Sequence, residues 1–286
     1  MMYGKYFKKF HWRQSIGAAA MLAAILCLLT ATTAQADLMT GLQLYSPMDD
    51  IDVVTGDVPD VQNDNDGTLV GTATKVTDTE RGDVLGLTAI GDRVLYDNTV
   101  DPGTSSYTAA LWFKMTDTGS SQMLATQGAN DSSVDKGWAM LYSGGYLYCR
   151  ASYSSNSDNR LQIRHAFDDF GQWHHLAFQI DQTNGVIKAY LDGKGSGLEC
   201  DQNGWEISKG LTFTSGESFT SAKSDVYDSL ALGLNKTYQS NVRIDDFSIW
   251  TRGLTDSEIG TLAVPEPSSL VLVVMGIGSL LIVRRK

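Results

Sequence analysis

The sequence predicts an all-β domain, two antiparallel sheets packed as a jelly-roll sandwich. Three observations carry that prediction. The first is a hairpin pattern in WHHLAFQIDQTNGVIKAYLDGKG, residues 173–195. His174, Leu176, Phe178 and Ile180 fall on one face of a strand, with His175, Ala177, Gln179 and Asp181 opposite. Ile187, Ala189 and Leu191 repeat the apolar face after a turn at Asn184-Gly185, and Asp192-Gly193 ends the second strand. The second observation is a series of ten or more short strand-like runs, separated by glycine-containing turns and with little helical period. The third is physical. A sheet with one apolar face needs a cover, most simply a second sheet, and its other face is expected to be polar and partly wet.

In chain order, residues 41–46 alternate Leu42, Leu44 and Ser46 against Gln43 and Tyr45, and Pro47 marks an end or an edge. The run DVQNDNDGTLVG, residues 60–71, invites an EF-hand reading. It fails, because Gln62 stands where the first aspartate belongs and Ala73 where the bidentate glutamate belongs. A polar turn is the better reading. Residues 84–89 and 93–96 are short strands. YTAALWFKM, residues 107–115, is a long one, with Ala109, Leu111 and Phe113 opposite Ala110 and Trp112. Strands at 122–126, 137–142 and 146–151 follow, the last two joined at Gly144-Gly145. Residues 161–165 lead into the hairpin, 199–206 read as a linker, and strands at 230–234 and 243–250 close the set. One helix is expected between residues 37 and 263. It runs from 255 to 262, with Thr255 and Glu258 forming a capping box.

Both ends of the chain read as addresses. Residues 1–36 carry Lys5, Lys8, Lys9 and Arg13 without an acid, then an apolar run at 16–29, then Ala34-Gln35-Ala36. This is the layout of a secretory signal peptide. Cys27 does not fit a lipid-modified cysteine, because the bulky Leu26 precedes it. At the other end Pro265-Glu266-Pro267 precedes a mostly apolar run of 14 residues, 270–283, and then Arg284-Arg285-Lys286. As a helix that run spans ~21 Å against a hydrocarbon core of ~30 Å, so it is a short transmembrane helix with a basic stop that stays cytoplasmic. The order of residues 264–286 resembles the PEP-CTERM sorting signals of Gram-negative bacteria. The resemblance implies an exosortase as partner, membrane attachment through the helix before processing, and delivery to the cell surface or extracellular matrix.

The 227 residues from 37 to 263 are left for the sandwich, with 15 basic against 32 acidic residues, net −17. That charge argues against nucleic acid or an anionic membrane surface as partner, and it suits hard cations such as calcium. Cys149 and Cys200 are the cysteines of this stretch, 51 residues apart. An even count in an exported domain predicts a disulfide, which would contribute about 4 kcal/mol in the chain-entropy model.

The closing segment RIDDFSIWTRGLTDSEIGTL, residues 243–262, is similar to the last strand and helix of laminin G-like domains of the concanavalin A-like lectin/glucanase class. NDGTLVG (65–71), YTAALWFK (107–114), the hairpin at 173–195 and LALGLN (230–235) agree with it in order. The resemblance covers nearly all of residues 40–262 and implies two packed sheets, one concave. It also implies a structural calcium held by Asp245, with Asp49 or Met48 and the 65–67 turn supplying further oxygens. The plainer reading has Asp245 cap a turn or pair with Arg243. Because this fold hosts lectins, enzymes, adhesion modules and structural domains, function has to be read from the residues.

Glycoside hydrolysis needs two carboxylates about 5–10 Å apart. The sandwich stretch has only Glu80, Glu199, Glu206, Glu217 and Glu258, without a paired arrangement along a strand. Catalysis is therefore not expected. His174 and His175 are adjacent, so one should be packed and one exposed rather than both ligating a metal. Aromatic rings stack on sugars, and Tyr146, Tyr148 and Tyr153 beside Ser-, Asn- and Gly-rich turns are the candidate ligand-binding residues. The reading is an exported, non-catalytic surface or matrix domain that binds carbohydrate or mediates adhesion, with an exopolysaccharide or another surface glycan as partner. A carbohydrate-active enzyme with an unrecognised acid pair, and a purely structural surface protein, are the alternatives.

Overall fold

The structure, a computed structural model, describes residues 38–63, 65–96, 100, 103–116, 121–128, 136–153, 160–219, 230–233 and 241–265. The chain divides into two units, residues 1–40 and 41–286, and the sandwich lies in the second. Its first sheet, sheet A, contains β1 (Leu42–Ser46), β4 (Thr74–Asp78), β5 (Gly82–Leu87), β7 (Tyr107–Met115), β12 (His174–Asp181), β13 (Val186–Leu191), β14 (Lys194–Gly195) and β17 (Val242–Trp250). Its order is β14-β13-β12-β7-β17-β5-β4, with β1 also paired to β17. Sheet B contains β2 (Asp57–Val58), β3 (Gly67–Val70), β6 (Arg93–Tyr96), β8 (Gln122–Gln127), β9 (Gly137–Ser143), β10 (Tyr146–Ser152), β11 (Arg160–Ala166), β15 (Trp205–Ile207) and β16 (Leu230–Gly233). Its order is β15-β11-β10-β9-β8-β16-β6-β3-β2.

The predicted hairpin is β12-β13, in the register Leu176↔Leu191, Phe178↔Ala189 and Ile180↔Ile187. Its turn is fixed locally. The Asp181 carboxylate accepts the N–H groups of Thr183 and Asn184, and Gly185 takes φ +64°. A Cβ at Gly185 would lie 2.4 Å from the Phe213 carbonyl oxygen, so glycine is required there. Phe178, Ile180, Ile187, Leu111, Phe113, Ile244 and Phe247 of sheet A meet Trp138, Met140, Leu147, Cys149 and Ile163 of sheet B in one core.

Three expectations are corrected. The outer face of sheet A is not wet. His175, Ala177 and Gln179 of β12 are buried, as is Trp112. The segment that leaves β17 covers the Gln179 end of this face, and Arg81 lies over Trp112. Thr108 Oγ1 donates to the Arg252 carbonyl and accepts from Leu254 N–H, Gln179 Nε2 donates to the Leu254 carbonyl, and Tyr190 OH donates to Asp256. That segment continues into helix α1 (Asp256–Leu262), where Thr255 and Glu258 form the expected capping box and Ile259 is buried. Arg252, foremost, and the bonds to Thr255 bring the Glu258 carboxyl down to about 2.

Both histidines are packed, at 9% and 2% exposure, rather than one being exposed. His174 lies against Phe113 and Phe167, and His175 against Trp112. Burial lowers the His175 imidazole to about 4.

The third correction concerns the cysteines. Cys149 and Cys200 are both buried and both free thiols. Cys149 on β10 and Cys200 in the loop before β15 belong to the same buried core cluster. An even count of cysteines in sequence does not fix the geometry that a disulfide needs. Burial instead raises both thiols, Cys200 to about 11.

The signal-peptide segment, Glu266, Pro267 and the apolar run at 270–283 lie outside the described residues, and Pro265 is exposed. Among the described residues no helix is long and apolar enough to cross a membrane.

Candidate ligand-binding face

Strand β10 alternates as its sequence demands. Leu147, Cys149 and Ala151 enter the core, so Tyr146, Tyr148, Arg150 and Ser152 take the outer face of sheet B. Register then decides their neighbours. On β11, Arg164 lies opposite Tyr148, Gln162 opposite Arg150, and Arg160 opposite Ser152. On β9, Leu141 lies opposite Tyr148 and Ala139 opposite Arg150. On β15, Glu206 lies opposite Arg164.

The tyrosine rings touch, with centroids 6.1 Å apart. The Arg164 guanidinium lies 4.2 Å from the Tyr146 ring centroid, within cation–π range. Its Nε and Nη2 donate to Glu206 Oε2 at 3.0 and 2.9 Å. Those bonds, and one with Tyr148, hold the Arg164 guanidinium further above its already high value. Met123, Ala139 and Leu141 form a small buried apolar cluster, with Tyr148 packed on it. Arg150 and Ser152 are buried like that cluster, so the partly exposed part of the face is the two tyrosine rings with Arg160, Gln162 and Arg164.

Tyr153, the third predicted residue, belongs elsewhere. It lies just past the end of β10, where the inward phase falls on odd numbers. Its ring packs on Phe213 and Phe219, at 6.4 and 5.9 Å, beside the core. The sequence reading missed Arg160, Arg164 and Glu206. The signal available was that Arg160 and Arg164 share even parity on the strand next to the tyrosines.

The predicted calcium residues lie on the outer face of sheet A. The β17 register shifts between Asp245 and Ser248, and Asp246 has φ +50°. This bulge leaves two consecutive carboxylates outside the core. The cation that meets them is Arg81, which donates from Nε to Asp245 at 2.6 Å and from Nη2 to Asp246. Trp112 and Trp173 flank the guanidinium at 4.4 and 5.4 Å. Arg243 bonds Asp78 rather than Asp245, and Lys114 and Trp173 Nε1 join it there.

Burial, then the Asp246 charge, push the Asp245 carboxyl up to about 7 against the pull of Arg81. Partial burial, then Asp246, also raise Asp49. In the 60–66 loop the Asp60 carboxylate accepts the N–H of Tyr45, Gln62 and Asn63, and Asp66 accepts that of Asp60. Among the described residues no three His, Cys, Asp or Glu side chains cluster as a metal site. One guanidinium faces two carboxylates here, and Asp245 Oδ1 is buried without a hydrogen-bond partner. A carboxyl near 7 can mark a general acid, but Asp245 is 4% exposed and lies under Arg81.

Two antiparallel sheets packed over one core define a β-sandwich. The sequence of residues 89–260, more than half of the chain, matches Laminin_G_3, the concanavalin A-like lectin/glucanases superfamily, and the chain belongs to that family. No curated protein matches the chain by sequence.

Solved structures share the fold. The binding domain of Paraclostridial Mosquitocidal Protein 1 superposes with a TM-score of 0.55 at 14% identity, over 79% of this chain and 52% of that one. The botulinum neurotoxin serotype D binding domain gives 0.54 at 13%, over 80% and 52%. The botulinum neurotoxin DC binding domain in complex with rat synaptotagmin II gives 0.54 at 13%, over 79% and 51%. The chain spans about half the length of these structures, and at such identity they share its fold alone.

Proposed function

We propose that this protein is an exported, non-catalytic binding domain that attaches to a surface or matrix glycan through the outer face of sheet B. The observation that carries the reading is the contacting pair Tyr146 and Tyr148, partly exposed on that face beside Arg164. Aromatic planes on a flat strand surface suit pyranose rings, and the neighbouring guanidinium groups supply donors for sugar oxygens. The solved structures of this fold named above are all called binding domains, which supports a binding role without naming a ligand for this chain.

A glycan array and polysaccharide pull-down with the full-length chain test the reading. Binding to a defined glycan is expected, and Tyr146→Ala should abolish it while the melting midpoint stays put. Running both assays with calcium and with chelator tests whether an ion at Asp245 and Asp49 contributes: calcium-dependent binding is expected if it does. Absence of glycan binding from a well-folded sample would sink the proposal and favour the structural alternative. Turnover of a polysaccharide would favour the enzymatic one.

The export half of the proposal rests on residues 1–36 and on Pro265-Glu266-Pro267 with the apolar run behind it. An exosortase recognises that signal, and the protein reaches the cell surface or extracellular matrix of a Gram-negative bacterium. Replacing Pro265, Glu266 and Pro267 together by alanine should leave the protein in the membrane fraction of its host. Unchanged surface delivery would overturn this half alone.

A further inference from the structure

The glycan-binding reading leaves the ligand class open, and the charge on the outer face of sheet B narrows it. We infer that this face binds a polyuronate, with a sugar carboxylate replacing Glu206 on Arg164 while Tyr146 and Tyr148 carry the sugar rings. The inference rests on the proposed glycan site and goes one step past it.

Residues 37–263 carry a net charge of −17, yet the outward positions of β10 and β11 that remain at least partly exposed are Tyr146, Tyr148, Arg160, Gln162, Arg164 and Ala166, with no acid among them, whereas Arg150 and Ser152 are buried. In a domain where acids outnumber bases about two to one, this exposed stretch presents Arg160 and Arg164 as its cations. The acid that meets this row comes from the neighbouring strand. Glu206 already holds the Arg164 guanidinium through a carboxylate oxygen, so the structure contains an internal copy of the interaction that a uronate would make.

That copy is exchangeable. The Glu206 side chain is 56% exposed and the Arg164 side chain 33%, and an ion pair so open to water is weak. The planar guanidinium fork matches carboxylate geometry, which favours a carboxylated sugar. Arg160 lies four residues from Arg164 on the same face, about 13 Å along the strand. A polymer can reach both arginines, whereas a monosaccharide reaches one.

The test measures retention of the full-length chain on beads bearing alginate, dextran sulfate or neutral dextran, at low and high salt. The expected result is retention on alginate that falls with salt and exceeds that on the other two. Arg164→Gln should weaken it about tenfold, a loss of about 1.4 kcal/mol. Glu206→Gln should strengthen it, since the competing carboxylate is gone. This second variant acts in the opposite direction, so general loss of folding cannot imitate it. Equal retention on dextran, with both variants indifferent, would overturn the polyuronate while leaving the glycan-binding reading intact. Preference for dextran sulfate would overturn the carboxylate assignment. No retention on any bead, with no binder on the glycan array, would remove both readings.

Discussion

The two outer faces of the sandwich carry similar chemistry and use it differently. On sheet A, Arg81 lies between Trp112 and Trp173 and holds Asp245 and Asp246, while Asp78 gathers Arg243, Lys114 and Trp173. On sheet B, Arg164 lies over Tyr146 and holds Glu206. Both are arginines stacked on aromatic rings and bonded to carboxylates. The difference is water. The sheet A groups are mostly buried, and the segment leading into α1 covers the Gln179 end of that face. The sheet B pair is open. A charge removed from water has to find its partner within the fold, and losing either partner is then costly. A charge left in water has a partner that an outside ligand can displace. Burial, more than residue type, separates a structural cluster from a binding site here.

The largest effect that would break this comparison is at Arg81. Arg81→Met leaves Asp245 buried without its cation, and urea denaturation at pH 8 should show a loss of about 3–5 kcal/mol. The deficit should shrink as pH falls. Burial, then Asp246, raise the Asp245 carboxyl to about 7 in the wild type against the pull of Arg81, so without Arg81 it lies higher still. The variant takes up its proton at a higher pH than the wild type does, so its deficit shrinks as pH falls from 8 towards about 7 and levels off below, where both folded proteins hold the proton. A deficit that is small, or flat with pH, would put the sheet A cluster in the same class as the sheet B pair.

Asp78→Asn should come next, at about 2–3 kcal/mol, because charge-assisted bonds to a buried carboxylate are lost. Burial alone would raise the Asp78 carboxyl, but bonds from Trp173, Glu80 N–H and Arg243, with the charge of Lys114, hold it well below its usual range. The wild-type contribution is therefore present above the unfolded value and is lost in acid, so the gap between wild type and variant should close below about pH 4. Thr255→Ala removes the cap of α1 and should cost about 1 kcal/mol by the same measurement. At the small end, Glu206→Gln and Tyr146→Ala should leave the thermal midpoint unchanged. Their effect should be on ligand retention alone. A clear fall in the midpoint for Glu206→Gln would mean that the sheet B pair is structural.

What could be read from the sequence was what is local. The β12-β13 and β9-β10 hairpins, β7, β17 and the capping box each declare themselves within a dozen residues, by alternation and a turn signal. Strand β4 gave no such signal, since Thr74, Lys75 and Val76 all have intermediate exposure on a strand at the edge of the sheet. Strand β15 is three residues long and exists because β11 offers an edge, so it was read as linker. The site divided the same way. Tyr146 and Tyr148 were visible on their own strand. Arg164 and Glu206 needed cross-strand register, and they lie 42 residues apart. Arg81 was invisible, because its carboxylate partners lie 164 and 165 residues away. The family resemblance pointed to a cation beside Asp245, and chain topology supplied a guanidinium there.

Strand β1 opens the sandwich and β17 closes it, and the two lie side by side, with Leu42 opposite Trp250 and Ser46 opposite Phe247. On its other edge β17 is hydrogen-bonded to β7, and part of its length pairs with β5. In mechanical terms, tension applied beyond α1 and resisted at sheet B reaches β17 first and runs along that strand. Its ladders to three neighbours are then sheared together, whereas an edge strand such as β4 would peel bond by bond. The strand closest in sequence to the proposed anchor is therefore among the hardest to pull out.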